Sequence, residues 1–312
     1  MEQRIKFIIP VIDKPYYLWQ MLVQIKSFRD LGYEQDAIYP VSYWNQPSDI
    51  LSKLLNSNQI KAEIIPYNDE RSIKNYSASL KPWLMHKYFA SNPSAVRHIF
   101  VYLDSDVLFT RPFDFTPFKG IAHKFYGSNT KGYTGVQYIK EKGEMLFYEL
   151  CQIAEVDPVI LEQNSDWEVG AQYIFQGADQ YFWKEIYEKS SKMYEYMVTT
   201  KDKYHPKEHQ YPIQAWVAEM MHTQWLAMKM GFEPQVTPLM DFAWSNWKIE
   251  DWEKFPFWHN AGQTVEDGIH FCKITHQISP FKKEIKVSPQ SISSKYLEVI
   301  KSTENEFPDL IW

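Results

Sequence analysis

The chain reads as an α/β protein: a doubly wound, mostly parallel sheet with an irregular, aromatic-rich C-terminal subregion. Two observations predict this. Apolar runs of strand length alternate with helical segments through the first third of the chain, the order that builds parallel sheets. Trp, Phe and Pro then gather in residues 232–262 with no steady period, which suggests irregular structure with short strands.

The elements follow in order. IKFIIPVI (5–12) is a buried-strand run. PYYLWQMLVQIKSFRDLG (15–32) is an amphipathic helix, with Pro15 near its start, apolar Leu18, Leu22, Ile25 and Phe28, and Gly32 as a stop. AIYPVSYW (37–44) is a second strand, SDILSKLLNS (48–57) a short helix capped by Ser48, and KAEIIPY (61–67) a third strand. PWLMHKYFAS (82–91) is a helix opening on Pro82, and HIFVYL (98–103) a fourth strand. Further on, residues 141–154, 179–197 and 212–231 read as helices, the last with Pro212 in its first turn and Gly231 at its end. No repeat or linker composition divides the chain. One domain over 1–290 with a helical tail at 291–312 is expected.

Composition narrows the class. The 312 residues are 45% hydrophobic and 23% charged, a globular balance. The net charge of −6 gives no overall pull toward nucleic acid or anionic membrane. Cys151 and Cys272 form no metal-type Cys-x-x-Cys and no disulfide framework. The apolar run Phe7 to Ile12 is too short for a leader peptide and is interrupted by Pro10. No stretch approaches the ~20 apolar residues of a membrane span. A cytoplasmic location is expected.

The chemistry-bearing motif is VYLDSDVLF (101–109). Two carboxylates at i and i+2 on an extended chain face one side. At ~4–6 Å and an effective dielectric of ~20 they repel by roughly 3–4 kcal/mol. A cation relieves that repulsion, and hard divalent ions prefer carboxylate oxygens completed by substrate phosphate. Asp-x-Asp alone is common by chance. Its position at the end of an apolar strand, where α/β sheets collect ligands, gives it weight. Asp104 and Asp106 are therefore candidates for a Mg²⁺ or Mn²⁺ site that takes a diphosphate.

A strand ending in Asp-x-Asp after alternating strands and helices resembles the GT-A fold of nucleotide-sugar-dependent glycosyltransferases. Residues 5–110 carry this likeness. WEVGAQYIF (167–175), IQAWVAEMMHTQW (213–225) and WHNAGQTV (258–265) are similar to segments of plant hydroxyproline and serine glycosyltransferases and their phage and large-virus homologues. The resemblance implies a hexosyl or pentosyl transfer from a nucleotide-diphosphate donor, such as a UDP-sugar, to an acceptor hydroxyl. It implies that Asp106 binds the metal and that Asp104 contacts the ribose or the metal. It also implies a late histidine as third ligand. Among His259, His270 and His276 the choice is His259, because Ala261 and Gly262 allow close backbone approach.

Other positions take roles by the same resemblance. Val11, Ile12 and Asp13 lie where the fold holds the base. Lys273 could neutralise the leaving diphosphate. Lys81, placed just before a helix, could contact the donor, and helix N-termini also attract phosphate. Gly170 and Ala171 would let backbone reach the donor sugar, with Asp166, Glu168 and Asp179 near its hydroxyls. The segment has Val169-Gly170 where related segments have two glycines.

An inverting enzyme needs a base for the acceptor hydroxyl. Glu219, among apolar neighbours in 212–231, is one candidate, and the alternative is an exposed Glu219–His222 pair. Asp241 is the second. Trp244, Trp247, Trp252, Phe255, Phe257 and Trp258 offer an acceptor platform, of which one or two rings would suffice. The acceptor is a glycan or protein hydroxyl, or a hydroxymethylated pyrimidine in DNA. The cluster Lys282, Lys283 and Lys286 is small for DNA. A nucleotidyltransferase would carry a glycine-rich loop after the first strand, which PVIDKPYY lacks. A catalytically inactive glycan-binding protein is the remaining alternative.

Overall fold

A computed structural model describes residues 3–204 and 211–312. The chain runs β1 (Ile5–Ile8), β2 (Val11–Ile12), α1 (Pro15–Asp30), β3 (Ala37–Tyr43), α2 (Asp49–Leu55), β4 (Glu63–Asn68), α3 (Leu80–Ser91), β5 (Ile99–Tyr102) and β6 (Val107–Phe109). It continues with β7 (Lys124–Asn129), α4 (Lys131–Thr134), α5 (Val136–Lys142), α6 (Glu144–Ala154), α7 (Pro158–Gln163), β8 (Val169–Phe175) and α8 (Gln180–Thr199). The last elements are α9 (Ala218–Lys229), β9 (Glu233–Val236), β10 (Phe242–Trp244), β11 (Phe257–His259) and α10 (Ser293–Glu306). These fall into two compact units, each mixed α/β.

The Asp-pair unit comprises residues 6–69, 102–117 and 239–312. Its strands β1, β2 and β4 all pair with β3 in parallel. The first apolar run is split into β1 and β2 at Pro10, which has no N–H to give a ladder. Nearly every residue of β3 is buried, as a parallel strand covered on both faces requires. Helix α1 has Pro15 in its first turn, and Gly32 follows its end at φ +77°. Ser48 caps α2 by accepting from the Leu51 amide at 3.1 Å. A second sheet has the order β10-β11-β6, with β10 parallel and β6 antiparallel to β11.

Among the described residues, the helix-rich unit comprises 3–5, 70–101, 118–204 and 211–238. In it β7 pairs antiparallel with β8 and parallel with β9. Register slips between Gly127 and Ser128, and Ala171 on the opposing strand adopts φ +62°. That is a β-bulge, which bends β8 at Gly170-Ala171. Helices α5, α6, α8 and α9 bury a core that includes Phe147, Leu150, Met193, Met221 and Trp225.

Three boundaries differ from expectation. The 141–154 segment is two helices broken at Gly143. Helix α3 begins at Leu80, so Lys81 lies inside its first turn rather than before it. Helix α9 begins at Ala218, not near Pro212. A single hydroxyl explains the last difference: Tyr76 Oη donates to the Trp216 carbonyl at 2.6 Å and accepts from the Glu219 amide at 3.0 Å. Those are groups that a longer helix would have used internally. Among the described residues no helix is long and apolar enough to cross a membrane.

Candidate metal and donor site

Asp104 and Asp106 lie in the turn between β5 and β6, closed by the Val107 amide on the Asp104 carbonyl at 3.2 Å. The Leu103 amide donates to Ile8 of β1 at 3.2 Å, which fixes where the turn begins. From beneath, Gln24 of α1 donates to the Asp104 carbonyl at 2.9 Å and to the Val107 carbonyl at 2.6 Å. Gln24 lies between Val23 and Ile25 in α1 and is itself fully buried. The sequence reading missed this residue.

The late histidine arrives through the small sheet. Antiparallel pairing sets His259 opposite Val107, and the Asn260 amide donates to the Asp106 carbonyl at 2.9 Å. His259 Nε2 lies 3.4 Å from Asp106 Oδ1, and Asp104, Asp106 and His259 bring one ligand atom each within 4.8 Å of one another. The His259 ring is stacked over Trp244 and edge-on to Phe242. Close passage at Gly262 also matters: its φ is +92°, and a Cβ there would stand 3.2 Å from the Trp244 ring. His270 instead meets Ser291 Oγ at 2.7 Å, and His276 is stacked on Phe271.

Lys273 Nζ bonds Asp106 Oδ2. Burial pushes the Asp106 carboxyl up, but Lys273 and His259 outweigh it and hold it well below the usual range. Burial, with the Asp106 charge, also keeps the Tyr16 and Tyr296 phenols protonated.

The donor set suits a divalent cation. It combines carboxylate oxygens with an imidazole whose Nδ1 is buried without a hydrogen-bond partner. The positive charge already resting on Asp106 marks the place where the carboxylate demands a cation.

Elsewhere in the same unit, Asp13 accepts from the Ser48 amide at 2.7 Å and bonds Ser48 Oγ at 2.5 Å, so its carboxylate anchors the start of α2. Val11 and Ile12 form β2 immediately before it. Asp241 precedes β10, and burial raises its carboxyl. Of the six rings in residues 244–258 expected to offer a platform, Phe257 and Trp258 are fully buried, while Trp244, Trp247, Trp252 and Phe255 are partly exposed.

In the helix-rich unit, Lys81 Nζ lies 2.6 Å from Glu219 Oε1, so two residues expected to act separately form one ion pair. The exposed Glu219–His222 alternative is corrected: both are buried, and burial drives His222 down to about 3. Gly170 is packed against Thr130 and Met220, and its carbonyl accepts from Ser128 Oγ at 3.0 Å. Asp179 caps α8, accepting from the Tyr181 and Phe182 amides at 2.9 and 3.0 Å. Asp166 pairs with Lys131. Glu168 accepts from the Val136 amide at 2.5 Å, and burial lifts its carboxyl to about 7.

No protein-family model matches this chain, and no curated protein sequence does. Solved structures do. The bifunctional glycosyltransferase WbbM superposes with a TM-score of 0.50 at 12% identity, covering 99% of this chain and 51% of its own. The fold is that of the GT-A-like glycosyltransferases. This chain thus spans about half the length of WbbM. Mouse xyloside xylosyltransferase 1 gives a TM-score of 0.44 at 11% identity, over 85% of this chain and 100% of its own. The galactosyltransferase LgtC, solved with donor and acceptor sugar analogues, gives 0.37 at 12% identity, over 98% and 100%. At such identity the likeness is one of fold. The GT-A-like fold places Asp104 and Asp106 after β5, at the end of an alternating α/β segment.

Proposed function

We propose that this protein is a metal-dependent glycosyltransferase that moves a sugar from a nucleotide-diphosphate donor to an acceptor hydroxyl. One observation carries the reading: the Asp104–Asp106–His259 group, in a GT-A-like fold, with Lys273 beside it. Asp106 and His259 would hold Mn²⁺ or Mg²⁺, and Asp104 would complete the set or reach the ribose. When bound, the ion offsets the charge of the diphosphate and so stabilises it as a leaving group. Lys273 moves its ammonium from Asp106 to a phosphate oxygen. Val11, Ile12 and Asp13 border the base, with Asp13 positioning the start of α2.

In the helix-rich unit, Lys81 and Glu219 act as one ion pair rather than as two separate groups. A carboxylate committed to Lys81 is a poor candidate for the acceptor base. Asp241, whose burial favours proton uptake, is the better one.

The test is thermal stability with nucleotide diphosphates and nucleotide sugars, including UDP and UDP-sugars, each with and without Mn²⁺. A ligand that binds the native state raises the Tm by mass action. A shift that needs both the metal and one nucleotide supports the reading. No shift with any pair overturns it in favour of a catalytically inactive glycan-binding protein.

A further inference from the structure

Gln24 is an amide side chain enclosed in the core of the Asp-pair unit. It is 0% exposed, and its Oε1 is buried with no hydrogen-bond partner. An orphaned amide oxygen lowers stability. A methionine would fill much the same space and orphan nothing. What a methionine lacks is the donor end. Gln24 Nε2 carries two hydrogens and meets two carbonyls, of Asp104 at 2.9 Å and of Val107 at 2.6 Å. Both partners accept and neither donates, so the amide is set in one orientation and Oε1 is left over.

Those carbonyls belong to the first and last residues of the turn that carries both carboxylates. The turn's own closing bond, from the Val107 amide to the Asp104 carbonyl, is longer at 3.2 Å. Gln24 therefore spans the turn from outside and fixes the separation of its ends. The stem of the clamp is itself held, because α1 is buried at every position from Leu18 to Phe28. The consequence concerns charge. Asp104 and Asp106 repel, and a loose turn would spread them in the metal-free protein. A cation would then have to close the turn as it bound, and the closure would be subtracted from its affinity. A turn already clamped spares it that cost.

We infer that Gln24 is a positioning residue for the cation site: by tying Asp104 to Val107 it pre-sets the spacing of the two carboxylates and raises the affinity for a divalent ion. The inference rests on the metal reading of the proposed function and adds to it a residue that would touch neither ion nor donor. Groups that orient metal ligands from behind commonly carry about ten- to a hundredfold in affinity.

The experiment measures Mn²⁺ affinity by calorimetric titration, and Tm with and without excess Mn²⁺, on the full chain. The variants are Gln24→Met, Gln24→Asn and Leu54→Ala. Gln24→Met keeps the bulk and loses both donors. Gln24→Asn keeps the amide but is one methylene short of bridging both carbonyls. Leu54→Ala opens a cavity at a side chain of α2 that is 2% exposed, and so lowers stability without removing a donor from the turn. Mn²⁺ affinity is expected to fall about tenfold or more in Gln24→Met, and to fall also in Gln24→Asn. Leu54→Ala should keep the wild-type affinity. By mass action, the Tm gap between wild type and Gln24→Met should widen when Mn²⁺ is added. An amide with a purely structural role would leave the gap the same in both conditions. Wild-type affinity in Gln24→Met overturns the inference, as does wild-type affinity in Gln24→Asn should the methionine variant not fold. An equal loss in Leu54→Ala also overturns it. A wild type that binds no Mn²⁺ refutes the metal reading itself, and this inference with it. Mn²⁺ binding by wild type that Gln24→Met leaves unchanged refutes this inference alone.

Discussion

Lys273 rests its ammonium on Oδ2 of Asp106, with the two side chains only 19% and 8% exposed. Removing one partner of such a pair strands the other charge away from water, at a cost of about 3 kcal/mol or more. Lys273→Met should therefore unfold at lower urea concentration in metal-free buffer. Mn²⁺ should restore most of the loss by returning positive charge to Asp106. A variant whose midpoint ignores the metal would remove Asp106 from the cation site.

Acid should expose the same carboxylate. The folded state holds Asp106 below the ordinary range near 4, so the unfolded chain binds more protons in acid. The stabilising contribution is complete at neutral pH and drains away as the pH falls below about 4. The stability gap between wild type and Asp106→Asn should narrow over that interval in Tm measurements. A constant gap from pH 7 to pH 3 would contradict this account. The same substitution should abolish transfer and metal binding while leaving the far-UV circular dichroism unchanged.

Glu168 runs the other way. Its carboxyl is raised to about 7 by burial, against an ordinary 4.5. Between those values the folded chain holds a proton that the unfolded chain has lost, so stability declines as the pH rises through the window. Glu168→Gln keeps an acceptor for the Val136 amide and should not show this decline. It should gain on wild type by about 2 kcal/mol between pH 4.5 and pH 8. Paired denaturant titrations at the two pH values measure the difference.

Close packing at Gly170 makes a third kind of prediction. A Cβ there would lie 2.7 Å from Thr130 Cγ2 and 2.9 Å from Met220 Cε. Gly170→Ala should cost about 1–3 kcal/mol by overpacking. Adding Thr130→Ser removes the nearer methyl but keeps the hydroxyl that bonds Thr134, and should recover part of the loss. Equal stability of the single and double variants would show that the strain lies elsewhere.

Much of the fold was legible because it is written in local signals. Pro15 and Gly32 bracket α1, Ser48 caps α2, and the burial of β3 follows from a mostly apolar run. The Asp-x-Asp turn was legible for the same reason, since strand and motif are adjacent. What escaped depends on partners far away in sequence. Tyr76 holds residues 216 and 219 and so moves the start of α9. Lys81 and Glu219 each look solitary until α3 and the start of α9 meet. An aromatic run in one chain segment does not reveal which rings the core will claim: Phe257 and Trp258 are buried, while Trp244, Trp247, Trp252 and Phe255 keep part of their surface. His259 was picked for the small residues that follow it. The pairing of β11 with β6, which brings it to Asp106, is a contact across some 150 positions that no periodicity reveals.

That pairing also bears on how the protein is made. On the ribosome, the turn with Asp104 and Asp106 emerges long before β11, Lys273 and α10. Until they arrive, two carboxylates face each other with neither imidazole nor ammonium beside them. A chain arrested before residue 259 would display the Asp-x-Asp motif without the histidine and lysine that complete the proposed site. Metal affinity measured on fragments of increasing length should therefore rise in a step once residue 259 is included, rather than in a slope.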